Sequence, residues 1–597
     1  MVYAFALQYE IRSLLQYFNN KEEKDSGTDH HLQCDYEKEQ LKGWKKFQEN
    51  NLFCDVNLFV CDTSYAAHRS LLAASSDYFK AMFKSKMKES REKDIKINAV
   101  TEEGFKAYFD FLYCGELDIH SENAQDFIST ATFFQSQAIL AYATSCLESD
   151  LSVQNCILYF QIAQLYHLPA LHKSARDAVL KWFDEILNNT VQELSYEQLS
   201  DVLQDENIWI LDEIKLFYGL AKWFHSNEEM HKECIGKLLQ FVRLSLISEK
   251  LLKKLFDEEI SMMSLCSELV NEAMKYHQKI FSQPILQTPR TQLRLCNAQD
   301  KLVITDFHSY PSICTCNVPS VKSSFGFKTL THKPNLLMYS SATVFNNFMF
   351  IAGGYCNTDN ICSAAAYRYD PRSNSWLQLP SMKTARCHFY LGAYNNKLYA
   401  VCGIVKKSNE EKHNILTKSV ECYDPTTNAW TYVASYCMPL YGLSGSVCNN
   451  KLYITGGRYM TNYYNTVSWY DDKTDRWKCR MRNKTYSWCD HTTVTVDNKL
   501  YRLGGSVTPF QEAVNTTLIY YYVPDMHKWE FVASIPNSNN LRQPAVAFEG
   551  CIYILYKGNN FGHKYLWIVY NTVKHTCTIL SFKCVSFPVG QVSVMKC

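Results

Sequence analysis

A chain of 597 residues is too long for a single hydrophobic core and predicts several domains. Its 61 Lys+Arg against 60 Asp+Glu leave no field that would hold it on nucleic acid or an anionic membrane, so a partner must be read by shape and by individual side chains. The 24 cysteines are scattered through a chain of 47% hydrophobic content, which predicts reduced, buried thiols rather than a disulfide framework. The N-terminal stretch is interrupted by Glu10 and Arg12 and has no basic leader, and no segment reaches membrane-spanning length without charge. A soluble, intracellular protein of the cytoplasm or nucleus is expected.

Residues 1–30, with the polar run NNKEEKDSGTDHH across their end, predict a disordered extension. From 31 to 150 the pattern is a helix, YEKEQLKGWKKFQEN, then a strand, LFCDVNLFV, then a helical piece. There Leu72, Phe79, Met82, Phe83 and Met87 stand roughly at helical spacing. A short strand, EKDIKI, and a helix with Phe105, Phe109 and Leu112 on one face complete the segment. The basic run Lys84, Lys86, Lys88, Arg91, Lys93 is interleaved with Glu89, Glu92 and Asp94, so it predicts a solvated face rather than a phosphate site.

The phrases CDVNLFV, AHRSLLAASSDYFKAMF and FLYCGELDI resemble the BTB fold over about a hundred residues. The resemblance implies a homodimer, with Asp55 and His68 in the charged part of its interface. Read from residue type alone, both better suit polar groups satisfied and buried inside one subunit. It also implies that Met87, Lys88 and Glu89 form the hydrophobic-X-Glu element with which such adaptors bind cullin-3, Met87 filling an apolar pocket and Glu89 pairing with a donor. Without the resemblance these three residues are a helix end with one core methionine.

Residues 151–285 predict helices throughout. Leu158, Ile162, Leu165 and Tyr166 are placed on one face, and a leucine-proline turn separates two helices. The wording VRLSLIS, NEAMKYHQKI and TPRTQLR resembles the BACK region, although Asp205-Glu206-Asn207-Ile208 departs from the family's usual Asp-Asp-Leu-Asn type of phrase. The resemblance implies a semi-rigid spacer whose first helix pair extends the cullin surface. The segment 282–294, with Pro284 and Pro289, reads as a hinge.

The rest, 286–597, is repetitive. A tyrosine is followed seven positions later by a tryptophan at Tyr369/Trp376, Tyr423/Trp430, Tyr470/Trp477 and Tyr522/Trp529. Upstream of each stands a hairpin signal and an alternating strand: NNFMFIAGGY, NKLYAVCGIV, NKLYITGGRY and NKLYRLGGSV, with weaker copies at 300–307 and 550–558. Six copies at a period of about 50 residues suit four short strands each. The pattern resembles the kelch repeat and implies an all-β six-bladed propeller. Departures include Cys402 for the first glycine, Val523 for Asp, and Asn571 and Cys577 in the last copy. The first copy is degenerate, and the alternating segment 584–596 is expected to complete that blade.

The order BTB, BACK, kelch implies a non-catalytic substrate adaptor of a cullin-3 RING ubiquitin ligase. It would dimerise through the α+β head and hold a client protein on propeller loops. Candidate client residues are Tyr355, Arg386, His388, Arg458, Tyr459, Trp488, His491 and Arg542, of the aromatic and arginine types that dominate interfaces. Counting back from Lys397, Lys451 and Lys499 places Arg386, Leu440 and Trp488 at one level. A cytoskeletal scaffold using the same propeller is the alternative reading. No catalytic, cofactor or metal site is expected; Cys314-X-Cys316 is too short a signal, and no zinc-finger spacing or basic region suggests nucleic acid. Cys61, Cys114 and Cys146 are candidates for oxidant sensing if exposed and acidic, burial being the simpler expectation.

Overall fold

The computed structural model describes residues 39, 41–85, 88–226, 228–258, 264–294, 300–305, 312–317, 328–332, 337–356, 359–406, 414–460, 462–481, 487–508, 514–515, 518–535, 544–557, 565–580 and 591–596. Two compact units divide after Phe241.

The first unit opens on a helix across 41–49 and a three-stranded sheet. Val56–Val60 is central, antiparallel to Thr63–Ala67 and parallel to Asp94–Ile97. Strict alternation buries Val56, Leu58 and Val60, each fully, on the helix-covered face. The single helical piece expected after residue 68 is two helices, Arg69–Ser75 and Asp77–Lys84. Ser76 divides them: its extended backbone ends the first, and its Oγ accepts the Phe79 N–H while donating to Phe134 O at 2.6 Å. Phe79, Phe105 and Tyr108 close around Phe134, with ring centroids 4.7, 5.8 and 5.1 Å away.

In the following helices the buried face differs from the expected one. Cys156–Leu165 buries Cys156, Ile157, Tyr159, Phe160, Ile162 and Ala163. Leu165 is 62% exposed, and Leu158 and Tyr166 are only partly covered. The segment is apolar nearly all round, so periodicity could not choose a side, and packing against Pro169–Lys181 did.

The second unit begins with helices Glu249–Glu258 and Ser267–Gln278 and then six four-stranded antiparallel sheets. Blades 2 to 6 run in chain order from innermost strands Ser341–Phe345, Tyr390–Tyr394, Ser444–Cys448, Thr492–Val496 and Ala545–Phe548. Blade 1 takes its innermost strand from the C-terminal segment: Gln591–Lys596 pairs antiparallel with Asp300–Thr305. Each innermost strand touches the next, blade 1 touching both blade 6 and blade 2, so the ring is closed.

Each seven-residue Tyr-to-Trp interval is one hairpin. Tyr423 and Trp430 stand directly opposite across the third and outer strands of blade 3, ring centroids 5.3 Å apart. The Tyr423 hydroxyl donates to Asn428 Oδ1 at 2.8 Å, and Asn428 holds the positive φ of 50° that the turn needs. Tyr369/Asn374 and Tyr470/Asp475 repeat the bond at 2.9 and 2.7 Å. Trp430 Nε1 and Trp477 Nε1 then donate back to Pro380 O and Ala434 O, tying blade to blade.

The paired glycines are needed where one blade's loop meets the next. Gly353 has φ 63°, and a Cβ there would lie 2.4 Å from Arg386 O. Cys402 takes the corresponding place in blade 3 with φ 60°, fully buried, its thiol donating to Met438 O at 3.6 Å.

The expected hinge at 282–294 is instead pinned. Turns Ile280–Ile285 and Pro289–Thr291 lie on blades 2 and 3. Arg368 donates to Ile280 O and Gln283 Oε1 at 2.6 and 2.8 Å, and Arg372 to Tyr276 Oη and Thr291 O at 2.6 and 2.9 Å. Asn346 Nδ2 donates to Pro284 O, and Ser282 Oγ to Pro425 O. Pro284 lies inside the first turn and Pro289 opens the second, and propeller donors take the carbonyls that the missing proline N–H groups leave open, a partnership no local composition reveals.

Candidate functional site

In the second unit, the connections entering the innermost strands of blades 2 to 5 build an arc of main chain. Tyr339, His388, Gly442 and Asp490 occupy equivalent places with φ of 56°, 51°, 66° and 52°. They are linked in series: His388 N donates to Tyr339 O at 3.2 Å, Gly442 N to His388 O at 3.4 Å, and Asp490 N to Gly442 O at 3.0 Å. Three non-glycine residues in the left-handed region, of which His388 is bonded to its neighbours on both sides, are the kind of locally costly backbone that accumulates at binding sites.

The arc lines a cavity of about 530 Å³ that continues among Ser341, Ser444, Ser446 and Thr493 of the innermost strands. Over it lie Tyr339 and His388, stacked 3.9 Å apart at 25°, then Tyr441 edge-on to His388 at 6.2 Å, with the Arg458 guanidinium 4.4 Å over the Tyr441 ring. The Arg458 guanidinium, the His388 imidazole, two phenol rings and the Asp490 carboxylate therefore share one rim, and all five side chains are part-exposed.

Of the sequence-predicted client residues, His388 and Arg458 stand in this rim, and Tyr459 is part-exposed beside Arg458. Four others belong to the interior. Arg386 is fully buried in an ion pair with Glu421, Nη2 to Oε1 2.7 Å, and also donates to Cys402 O and Ser419 O at 2.9 Å each. His491 is 5% exposed, in the wall of the cavity, with Nε2 2.7 Å from Thr455 Oγ1. Trp488 is also 5% exposed, lying under the Arg502 guanidinium at 3.4 Å. Tyr355 packs in a buried cluster with Cys387 and Ile404. Arg542 lies outside the described residues. The offset counted from the strand lysines thus lands on a buried layer of Arg386, Leu440 and Trp488; the mouth begins two positions further on. Tyr339, Tyr441 and Asp490 were missed for that reason: Asp490 stands at the His388 step of the lysine frame, Tyr441 one position before that step, and Tyr339 at the same step before Phe348, where blade 2 has no lysine.

In the first unit His68 is satisfied within the subunit, Nδ1 2.9 Å from Tyr113 Oη and Nε2 3.0 Å from Leu52 O, with its ring against Trp44. Asp55 is exposed and its Oδ1 accepts the Arg69 N–H at 2.8 Å, holding the start of the Arg69–Ser75 helix. Beside them Leu52 and Phe53 are 49% and 79% exposed. Lys88 and Glu89 lie exposed on a single turn, Lys88–Ser90, and Lys88 pairs with Glu92 at 3.0 Å. Arg69 anchors that turn from beneath, donating to Ser90 O at 2.6 Å and to Glu92 O while stacking 4.9 Å from the Phe83 ring centroid. Met87 lies outside the described residues. Among the cysteines considered for oxidant sensing, Cys61 is exposed, whereas burial raises the Cys146 pKa, against a sensing role there. Cys316 is buried, and the Cys314 side chain lies outside the described residues.

An α+β head, a run of helices and a closed six-bladed ring define a multidomain protein of the propeller class. The BTB/POZ domain profile matches residues 44–151, the BACK (BTB And C-terminal Kelch) profile 156–257, and the Kelch motif 337–383, 385–435 and 439–480. Kelch-like protein 36 of Rattus norvegicus is 31% identical over 531 residues, covering 85% of this chain and 83% of its own. Kelch-like protein 26 of Danio rerio is 28% identical, covering 83% and 82%. Kelch-like protein 15 of Homo sapiens is 25% identical, covering 83% and 84%. The chain belongs to the kelch-like family of BTB-BACK-kelch proteins.

Proposed function

We propose that this chain is the substrate-recognition adaptor of a cullin-3 RING ubiquitin ligase, dimeric through its head and holding a client protein in the propeller mouth. Within a family whose members typically act in this way, the observation that carries the reading is the exposed Lys88–Glu89 turn held rigid by Arg69. A partner-facing acid on a preorganised turn binds without first losing chain entropy. The exposed Leu52 and Phe53 beside Asp55 supply apolar surface suited to a second copy. The adaptor contributes position alone: a client lysine held near a ubiquitin thioester gains effective concentration, and no catalytic side chain is required of this chain.

Glu89→Lys is expected to weaken cullin-3 capture by at least about tenfold, since it places a like charge against the donor that Glu89 would meet. The doubly substituted Met87→Ala/Glu89→Ala protein should lose capture altogether. Arg69→Ala should weaken capture too, by freeing the turn. Pull-down from purified components reads all three; recovery equal to wild type would remove the adaptor reading. At the mouth, His388→Ala and Arg458→Ala should each lower client capture roughly 30-fold if they are central contacts, whereas Tyr459→Ala should matter less. Crosslinking mass spectrometry in cell extract, comparing these proteins, checks it; an unchanged set of captured proteins would place the client site elsewhere.

A further inference from the structure

A pair of thiols lies directly beside the mouth. Cys362 belongs to the short hairpin formed by Tyr355–Cys356 and Ile361–Cys362, where it stands opposite Tyr355. Cys387 immediately precedes His388 of the mouth, and its main chain exchanges two hydrogen bonds with Ile404, at 2.9 and 2.8 Å. The two sulfurs are 3.7 Å apart, and the Cys362 thiol also lies 3.4 Å from Ile404 O. Both sit in one apolar cluster with Tyr339 and Tyr441, the rings on either side of His388.

A disulfide holds its sulfurs about 2.05 Å apart, so less than about 2 Å of approach separates this pair from a bond. The movement belongs to Cys362. Cys387 is fully buried, and its backbone is boxed in: Gly354 N donates to Arg386 O at 2.9 Å, and a Cβ on Gly403 would stand 2.8 Å from Cys387 O. Cys362 is part-exposed on a hairpin with two paired residues per strand.

We propose that Cys362 and Cys387 are a reversible redox dithiol that closes on oxidation by a peroxide. The Cys362 sulfur, as the accessible one, attacks a peroxide oxygen; the O–O bond breaks, Cys362 becomes a sulfenic acid, and one water leaves. The Cys387 sulfur then displaces the sulfenic oxygen, which leaves as a second water with the Cys387 proton. Two thiols have lost two electrons and two protons to one hydrogen peroxide. Pairs of this kind in a reducing compartment are transient and regulatory rather than structural. The bridge would fasten the hairpin carrying Tyr355 to the segment that presents His388. Its effect on client capture rests on the adaptor reading above; the bridge itself does not.

The full chain is treated with hydrogen peroxide, alkylated and digested with trypsin without reductant. Arg368, Arg372, Lys383 and Arg386 lie between the two cysteines, so they fall on separate peptides joined only by the bridge. Mass spectrometry is expected to find that linked species, lost on treatment with dithiothreitol. Cys362→Ser should abolish it, and Cys387→Ser should leave a sulfenic acid at Cys362 that dimedone traps. Far-UV circular dichroism confirms that both variants fold. A Cys356–Cys362 link in place of the expected one, or complete alkylation of Cys362 and Cys387 after peroxide, would overturn the proposal. Because this readout involves neither cullin nor client, its failure is distinct from failure of the adaptor reading.

Discussion

Arg386→Ala is expected to destabilise the propeller by about 3–5 kcal/mol, the usual consequence of removing one partner from a buried ion pair. Both side chains are wholly inaccessible, and Glu421 accepts not only from Arg386 but also from the Lys383 and Thr384 N–H groups, at 2.6 and 2.9 Å. Without the guanidinium the carboxylate stays buried against two dipoles alone. Burial already lowers the Arg386 pKa in spite of Glu421, so desolvation opposes the pair and only its complete hydrogen bonding sustains it. The double replacement Arg386→Met/Glu421→Gln should recover much of the loss, because neither position then carries an uncompensated charge while the introduced amide oxygen would still accept from the main chain. Urea denaturation of the full chain, followed through tryptophan fluorescence, measures the shift. Arg458→Ala serves as comparison and should stay within about 1 kcal/mol of wild type, since it is a rim residue. Equal losses for Arg386→Ala and Arg458→Ala would contradict the distinction between a structural arginine and a recognising one.

Removing residues 591–597 should open the ring. The deletion strips Asp300–Thr305 of its antiparallel partner and takes away Val592 and Met595, which are 8% and 1% exposed. Each lost apolar side chain is worth about 1.5–3 kcal/mol, and the uncovered strand carries the buried Leu302 and Val303 into water as a bare edge. It also breaks a latch to blade 2, where Asn347 donates to Lys596 O at 2.9 Å and accepts from Lys596 N at 2.7 Å. Aggregation or a much earlier thermal transition is the expected outcome, seen by size-exclusion chromatography and calorimetry. Asn347→Ala should reproduce a small part of it, about 1–3 kcal/mol for two hydrogen bonds. A truncated chain that elutes and melts as wild type would show that blade 1 stands without its closing strand.

What was legible in the sequence was whatever local chemistry enforces. The Asn-Asn and Asp-Asn pairs announce two-residue hairpins because both turn positions need positive φ, as Asn346 and Asn347 have at 48° and 66°; the lysine that follows in three copies already begins the next strand. The Tyr-to-Trp interval is visible because a hairpin of fixed length must place those residues opposite each other. Other readings failed where the local signal had two structural outcomes. Leu165 is as apolar as Ile162, yet one faces water, because a helix apolar on every side does not say where its neighbour will lie. Arg386 and Arg458 are the same residue type in similar repeat contexts; one meets Glu421 from a neighbouring strand and disappears into the core, and the other lies on a tyrosine at the rim. Pro284 and Pro289 read as a hinge because neither supplies an N–H, yet they sit within short helical turns that Arg368 and Arg372 pin to the propeller.

By itself the amino-acid order determined the parts: an α+β head, helices, six copies of a four-stranded unit, and the alternating tail available for closure. Tertiary structure alone decided which side chains meet a partner. Turn preference and alternation act between residues a few positions apart and are written into each segment. Burial is different, because it is set when segments far apart in the chain pack together. It was that packing which withdrew Arg386, His491, Trp488 and Tyr355 from the surface, brought Tyr339, His388, Tyr441, Arg458 and Asp490 to one rim, and left two sulfurs 3.7 Å apart beside it.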